Sequence, residues 1–310
     1  MIIVTGDEIE NYNNSGSVSV TIGKFDGIHL GHRALIDETI RCAKYSNMLS
    51  CVITFNNTAD ISEESNPCVL TTLKEKKYLL EQIGVDVMVV LEFTDLLKNM
   101  SPDDFINFFL ADMLNTGAVT IGSDFRFGKD KKGGIEDFEK AQMVYGFDLT
   151  VMDKEKADDL EISSTRIREL IKNGDLKKAN ELLGYDYLIA GITESGKRKG
   201  RKMGMPTINL YPRKDKLIPP LGVYASKAVI DGKVYNAVTN IGVCPTITDN
   251  REISVETHLL DYSSDKDIYG EFFAVHLHDF IREETKFDSV EALSTQIEDD
   301  IKEAVKLLAQ

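Results

Sequence analysis

"TIGKFDGIHLGH", Thr21 to His32, joins an alternating run, "SVSVTIG", to an apolar-periodic run carrying Ala34, Leu35, Ile40 and Ala43. Strand, glycine-rich loop and helix in that order form the repeating unit of doubly wound α/β sheets. Gly23, Gly27 and Gly31 fall inside the stretch, together with His29 and His32, two of the chain's five histidines. Glycines at such a junction allow a close approach to the backbone. The unpaired N–H groups and the positive end of the following helix then favour an anion. Imidazoles at this place can donate to a phosphate without a bulky side chain. A metal would need a third ligand, and no Cys, His or nearby acidic pair completes a set. Two chance histidines in a solvated loop are the plain alternative, and the glycine pattern favours phosphate over it.

Outward from this stretch the first half continues to alternate. "SCVITF" reads as a strand. "TLKEKKYLLEQIG" reads as a helix, with Thr72 and Glu75 as a capping box and Gly84 as its stop. "VDVMVVLEF" is a nearly continuous apolar run, as a strand buried on both faces requires. Ser101 and Pro102 open a helix, "GAVTIGSDF" and "DLTVM" read as strands, and "SSTRIRELIKNG" and "DLKKANELLG" as helices. This alternation predicts a parallel sheet with helices on both faces. After Gly184 six strand-like runs succeed one another: "YLIAGIT", "PTINLY", "GVYASKAVI", "KVYNAVTNIG", "ISVETHLLDY" and "EFFAVHLHDFI". They predict a β-rich domain that could close into a barrel. A terminal helix follows, with Val290, Leu293, Ile297, Ile301, Val305 and Leu308 as its packing stripe. Residues 1–184 and 185–310 are the two expected domains.

The chain has 310 residues, 42% hydrophobic and 28% charged, as in an ordinary globular protein. A net charge of −15 argues against nucleic acid as a partner but not against a small nucleotide met by local donors. Cys42, Cys51, Cys68 and Cys244 are scattered without a CxxC pair, which favours a reducing cytoplasm over a disulfide or zinc framework. "MIIVTGDEIE" lacks the pattern of a signal peptide, and no window has the length of a membrane span.

"ISSTRIR", Ile162 to Arg168, adds to the phosphate reading. Ser163 or Ser164 suits a helix N-cap, which puts Arg166 and Arg168 near the positive helix end. Cations there oppose the dipole at about 0.3–1 kcal/mol each, and an anion at the same end would offset that. A surface arginine pair beside Glu161 and Glu169 is the alternative, fairer for Arg166 than for Arg168.

With GxFDGxHxGH, "GSDFRFG" (Gly122 to Gly128) and ISSTxIR in hand, the first half resembles the HxGH nucleotidyltransferases. It is similar in particular to the adenylyltransferase half of the bacterial bifunctional riboflavin kinase/FAD synthetase family. The resemblance implies a Rossmann-like domain in which the phosphate of FMN attacks the α-phosphorus of ATP and pyrophosphate leaves. It implies that His29 and His32 stabilise charge on the ATP phosphates, assisted by Ser164, Thr165 and Arg168. Gly23, Phe25, Asp26, Gly27 and Gly31 would form the nucleotide loop, with Asp124 near ATP or flavin. One departure stands out. The family usually carries F-x-P-H-P after its second strand, on the flavin side of the site, where this chain has "FNNTADISEESNP" from Phe55.

In the second half "GKRKGRKMGMPTINL" concentrates Lys197, Arg198, Lys199, Arg201 and Lys202 among Gly196, Gly200 and Gly204. A flexible flap over phosphates or a solubilising loop would both fit. Thr207 and Asn209, two apart on a strand, share a face and offer oxygen donors that suit Mg²⁺. Glu256, set apart from apolar Val255 by alternation, is a candidate general base. Together these segments resemble the riboflavin kinase domain, whose G-R-x-x-G-x-P-T-x-N pattern Gly200 to Asn209 match; "GVYAS", "NIGVCPTI", "ETHLLDY", "IYGEFFAVHL" and "IREETKF" follow in family order. The resemblance implies a six-stranded barrel, with Thr207 and Asn209 at Mg-ATP and Glu256 activating the ribityl 5′-hydroxyl of riboflavin. It places Gly196, Gly200, Arg201, Gly204 and Pro206 around the nucleotide. Met205 stands where phenylalanine is common, and Met205, Tyr224 and Arg282 are flavin-side or structural candidates.

The expected protein phosphorylates riboflavin to FMN and adenylylates FMN to FAD, with ATP and Mg²⁺ consumed and bound, and ADP and pyrophosphate released. The altered loop after Phe55 keeps open a riboflavin kinase with a changed or inactive adenylyltransferase domain. A non-catalytic flavin or nucleotide sensor is the rival from another class. Self-association is left open.

Overall fold

The computed structural model describes residues 1–6, 8–12, 16–56, 68–194, 207–245, 251–262 and 269–309. The chain forms two compact units, Met1–Pro67 with Lys76–Ser163, and Cys68–Glu75 with Ser164–Gln310.

The first unit is built on a six-stranded sheet. Its strands are β1 (Ile2–Thr5), β2 (Val18–Ile22), β3 (Leu49–Asn56), β4 (Val87–Glu92), β5 (Thr116–Gly122) and β6 (Asp148–Met152). Their order is β1-β4-β3-β2-β5-β6, and every pairing is parallel. The helices are α1 (Glu8–Asn11), α2 (Leu30–Tyr45), α3 (Leu73–Ile83, which belongs to this unit from Lys76 onward), α4 (Asp95–Asn99), α5 (Pro102–Phe105) and α6 (Ile135–Tyr145). The helix expected from Ser101 is capped by that serine, whose hydroxyl accepts from the Asp104 N–H, but it widens into a π-helix over Ile106–Met113. Residues Val87 to Leu91 are all buried, which accounts for the unbroken apolar run in β4. One sheet face carries Val18, Val20, Ile22, Val119 and Ile121 and packs on Phe105, Phe109, Phe127 and Phe138. Alternation sends Ser19, Thr21 and Thr120 to the opposite face, also buried. A two-stranded ribbon, β7 (Lys156–Ala157) with β8 (Leu160–Glu161), completes the unit.

The strand order decides where a ligand would bind. From β2 the chain runs outward through β3 to β4, then crosses back to β5 on the other side of β2. The progression reverses between β2 and β5. Open parallel sheets accept ligands in the crevice beyond the carboxyl ends of the strands at such a reversal. Those ends continue into the glycine–histidine loop from Gly23 and into Ser123–Asp124.

In the second unit α7 (Ser164–Lys172) and α8 (Leu176–Leu183) precede the strands β9 (Tyr187–Ile192), β10 (Thr207–Leu210), β11 (Gly222–Ile230), β12 (Lys233–Pro245), β13 (Arg251–Leu259) and β14 (Phe272–Arg282). They run antiparallel in the order β10-β13-β12-β11-β14-β9. The Glu194 N–H donates to the Asn209 carbonyl at 3.0 Å, so the two outermost strands meet and the sheet closes. Inside, hydroxyls of Ser226, Thr239 and Thr257 form a buried chain at 2.8 and 3.0 Å. The last helix, α9 (Val290–Leu308), covers part of the outer wall.

The expected stripe on α9 is only partly the one used. Ala304, Ile301, Leu307 and Leu308 pack on Val223, Ala225, Val238 and Ile281, whereas Val290 and Val305 are exposed. Asp300 supplies the reason: it is buried on this helix and takes a two-pronged bond from Arg282, at 2.8 and 2.7 Å. That pair holds the polar Asp300 inward, on the same helix face as the buried Ala304 one turn later.

Candidate active sites

The first site is assembled by the turn from β2 into α2. Phe25 and Ile28 take positive φ angles of 46° and 37°, beside Gly27 at 86°. Side chains larger than glycine seldom adopt such angles, and they persist where the surroundings enforce them. The Phe25 ring is fully buried under the loop and meets the His32 ring edge-on at 5.3 Å. A Cβ on Gly23 would stand 3.1 Å from the Phe25 ring, so the loop closes over a glycine there.

His29 caps α2: its Nδ1 accepts from the His32 N–H at 3.3 Å. An accepting Nδ1 leaves the proton of the neutral ring on Nε2, available as a donor. The His29 and His32 rings stack at 3.6 Å, 16° from parallel. Burial pushes His29 down to about 4, against a weaker opposing pull from Asp26. Burial also holds His32 well below its ordinary value, helped by His29 and Lys76. Both imidazoles are therefore neutral at pH 7. The Nδ1 atom of His32 is buried and has no hydrogen-bond partner among the described residues.

This burial has a consequence for stability. The unfolded chain protonates its histidines near the ordinary value of 6.5, while folded His29 resists down to about 4. Between these values the unfolded state binds more protons, so stability falls as pH falls. The expected result is a melting temperature lower at pH 5 than at pH 7 by roughly several degrees, with a smaller drop in His29→Asn. Thermal denaturation at the two pH values checks it; an equal drop in both proteins would assign the acid sensitivity elsewhere.

The sequence reading missed Lys76. It lies on α3 at 3% exposure, and its Nζ donates to the Lys24 carbonyl at 2.6 Å and the Thr54 hydroxyl at 2.8 Å. Burial lowers it to about 8, opposed by Asp26 and aided by Lys24. Its place in an amphipathic helix gave no sign of this, because the contacts come from residues 22 and 52 positions away.

Asp124 follows β5 and is exposed, bonded to Lys154 at 2.9 Å; Lys154 also reaches Glu161 at 2.8 Å. Asp26 is buried in the histidine loop. α7 begins at Ser164, so Ser163 holds the position before it and Ser164 and Thr165 lie in its first turn. Arg166 lies in that first turn as expected, while Arg168 falls just beyond it, where its Nε donates to the Cys68 carbonyl at 2.9 Å. These α7 residues belong to the second compact unit.

The barrel site lies on the outer face of the wall. Antiparallel pairing sets Asn209 directly opposite Glu256 and Thr207 opposite His258. Residues directly opposite project to one face, so Thr207, Asn209 and Glu256 share a surface. On the other side Glu256 pairs with Asn240, whose amide donates to Glu284 at 3.3 Å. The set presents a hydroxyl, an amide and carboxylates, all oxygen donors. Tyr224 points inward instead: it is 1% exposed, donates to the Pro220 carbonyl and meets the Phe280 ring at 5.2 Å. Arg282 is held by Asp300. Gly196, Gly200, Arg201, Gly204, Met205 and Pro206 lie outside the described residues, as does the stretch 57–67 that departs from the family pattern.

A parallel sheet with a glycine–histidine loop at its switch point has the architecture of nucleotide-binding α/β units. The closed barrel, with oxygen donors facing a carboxylate, defines a second unit of a different kind. Comparison with known proteins agrees with both. The family model for FAD synthetase matches residues 11–166, and that for riboflavin kinase matches 183–308. A bifunctional riboflavin kinase/FMN adenylyltransferase of Listeria monocytogenes is 35% identical over 96% of this chain and 93% of its own length. Its namesake in Bacillus subtilis is 34% identical over 93% and 91%. The chain belongs to the bifunctional riboflavin kinase/FMN adenylyltransferase family. Among solved structures, one named as a macrolide-efflux protein from Streptococcus pneumoniae shares the fold at a TM-score of 0.79 and 30% identity, covering 97% of this chain and 98% of that one. Among the described residues no helix is long and apolar enough to cross a membrane.

Proposed function

We propose that this chain makes FMN from riboflavin in its barrel and FAD from FMN in its α/β half, each step using ATP. The functional division falls at residues 184 and 185. The observation that carries the reading is the pairing of Glu256 with Asn209 on one barrel face, together with the stacked, neutral histidines at the sheet's switch point.

In the barrel, Glu256 takes the proton of the ribityl 5′-hydroxyl. The hydroxyl oxygen bonds to the γ-phosphorus of ATP, the bond from that phosphorus to the bridging oxygen breaks, and ADP leaves. Thr207 and Asn209 fit a Mg²⁺ that keeps part of its water shell, since both offer hard oxygen donors beside a carboxylate. Bound there, the ion would neutralise phosphate charge. Gly196, Gly200, Arg201, Gly204, Met205 and Pro206 are assigned to the nucleotide and flavin edge of this site on their sequence pattern. Tyr224 supports it from the barrel interior, and Arg282 from the end of β14, where Asp300 of α9 holds it.

In the α/β half no side chain forms a bond to substrate. A phosphate oxygen of FMN attacks the α-phosphorus of ATP and pyrophosphate leaves. His29 donates from Nε2–H, and its neutrality suits a donor that must not compete for a proton. His32, Gly23, Phe25, Asp26, Gly27 and Gly31 shape the loop around the phosphates. Asp124, Ser164, Thr165 and Arg168 are assigned to ATP on their motifs. In-line transfer of this kind depends on positioning and charge stabilisation. We place the protein in the cytoplasm, in keeping with the free thiols of Cys42, Cys51 and Cys68.

The test is a time course with riboflavin, excess ATP and Mg²⁺, with flavins separated by chromatography. FMN appearing first and FAD following supports the reading. FMN accumulating without FAD would leave a riboflavin kinase whose altered 57–67 stretch has cost it the second step.

A further inference from the structure

A lysine buried to 3% exposure costs free energy unless something in its surroundings keeps it. Lys76 is kept by one carbonyl and one hydroxyl, and both belong to the glycine–histidine loop or its neighbouring strand. The Lys24 carbonyl receives two donors, Lys76 Nζ at 2.6 Å and the Thr54 hydroxyl at 3.1 Å. Thr54 itself accepts from Lys76 at 2.8 Å. Next to this triangle the Gly23 N–H donates to the Ile53 carbonyl at 3.0 Å. The first residues of the loop are thus tied down to β3, and the two strained residues, Phe25 and Ile28, follow directly.

We propose that Lys76 is a positioning residue for nucleotidyl transfer: it fastens the β2–α2 loop to β3, holding His29 and His32 in place, and sets a buried positive charge beneath the phosphates of the nucleotide. The inference rests on the reading of this loop as the ATP site. Without the ammonium, the Lys24 carbonyl and the Thr54 hydroxyl lose their shared donor in a buried place. The loop then has less to oppose the backbone strain at Phe25 and Ile28.

The groups facing Lys76 are Lys24 and Asp26 from the loop, Thr54 from β3 and His32 from α2. Asp26 favours the charged amine, while burial and Lys24 oppose it, leaving Lys76 lowered to about 8. Below that value the ammonium is charged and attracts phosphate; above it the charge is lost. The KM for ATP in FAD formation should therefore rise as pH climbs past about 8. The tether is less sensitive, because a neutral amine still donates.

The experiment compares the full-length protein with Lys76→Met, a swap of similar length that keeps apolar packing. Amide hydrogen exchange is followed at Gly23, Ile28, His32 and Arg33, and FAD formation from FMN and ATP is measured from pH 7 to 9.5. The proposal expects exchange at least 10-fold faster at these amides in the variant, with the strands of the barrel unchanged. It expects FAD formation down by about 100-fold, and no rise of the ATP KM above pH 8, with FMN formation still present as the sign of a folded chain. Loop exchange within twofold of the unsubstituted protein overturns the proposal whatever the activity. A KM that rises above pH 8 in Lys76→Met as it does in the unsubstituted protein removes the charge at Lys76 from the account. Should the unsubstituted protein form no FAD from FMN, the ATP reading of the loop fails, while the exchange data still decide whether Lys76 holds it.

Discussion

Replacing Glu256 with glutamine is expected to slow riboflavin phosphorylation about 10³-fold while riboflavin still binds within a few-fold. General-base contributions of 10²–10⁴ set this scale. Glutamine keeps the shape of the side chain and its place opposite Asn209 but cannot take the proton. Because Glu256 lies on a central strand of the barrel wall, between Asn209 and Asn240, alanine would also disturb the packing of that row. Glutamine separates the chemistry from the packing. Glu256→Ala should give the same loss of turnover, and agreement between the two would show that the carboxylate matters. Turnover that survives both would mean that another group takes the proton. FAD formation from supplied FMN should be unaffected, because nothing in that step calls on Glu256. Steady-state rates and a fluorescence titration of riboflavin measure both halves of this expectation.

The second large effect is expected at His29. His29→Asn should lower FAD formation from FMN by about 10²–10³-fold, the scale for removing one donor to a developing negative charge. Asparagine is chosen because it can cap a helix as well as histidine does here, whereas alanine would forfeit about 1 kcal/mol of capping in addition. The cap bond to the His32 N–H can then persist while the Nε2 donor is gone. FMN formation should stay within about twofold. Equal loss of both activities would contradict two separate sites.

Much of this protein was legible in its sequence because its signals are local. The β2–loop–α2 unit, the continuous run of β4 and the six β-rich runs after Gly184 each correspond to an observed element. The Thr72–Glu75 capping box forms as written, with the Thr72 N–H donating to Glu75 at 2.7 Å. What the local pattern could not show is the second use of Glu75. Its carboxylate also accepts from the Ala190 N–H and pairs at 2.9 Å with Lys216, both side chains 1% exposed. That partner lies 141 residues away. Lys76 was missed for the same reason. Strand β1, only Ile2–Thr5, is too short to show a period, and it is a strand because β4 offers it an edge. Periodicity on α9 predicted Val305 inside, but it carries no information about Arg282, which holds Asp300 inward. At the sites, alternation put Thr207, Asn209 and Glu256 each on a face, and only the strand register revealed that the faces coincide.

The most direct test of two reactions at two sites supplies FMN, rather than riboflavin, together with Mg²⁺ and ATP labelled at its α-phosphorus. The account predicts label in FAD and none in the released pyrophosphate, at the same rate in Glu256→Gln as in the unsubstituted protein and at a greatly reduced rate in His29→Asn. Unlabelled FAD, no FAD at all, or a rate that falls with Glu256 rather than with His29 would contradict it.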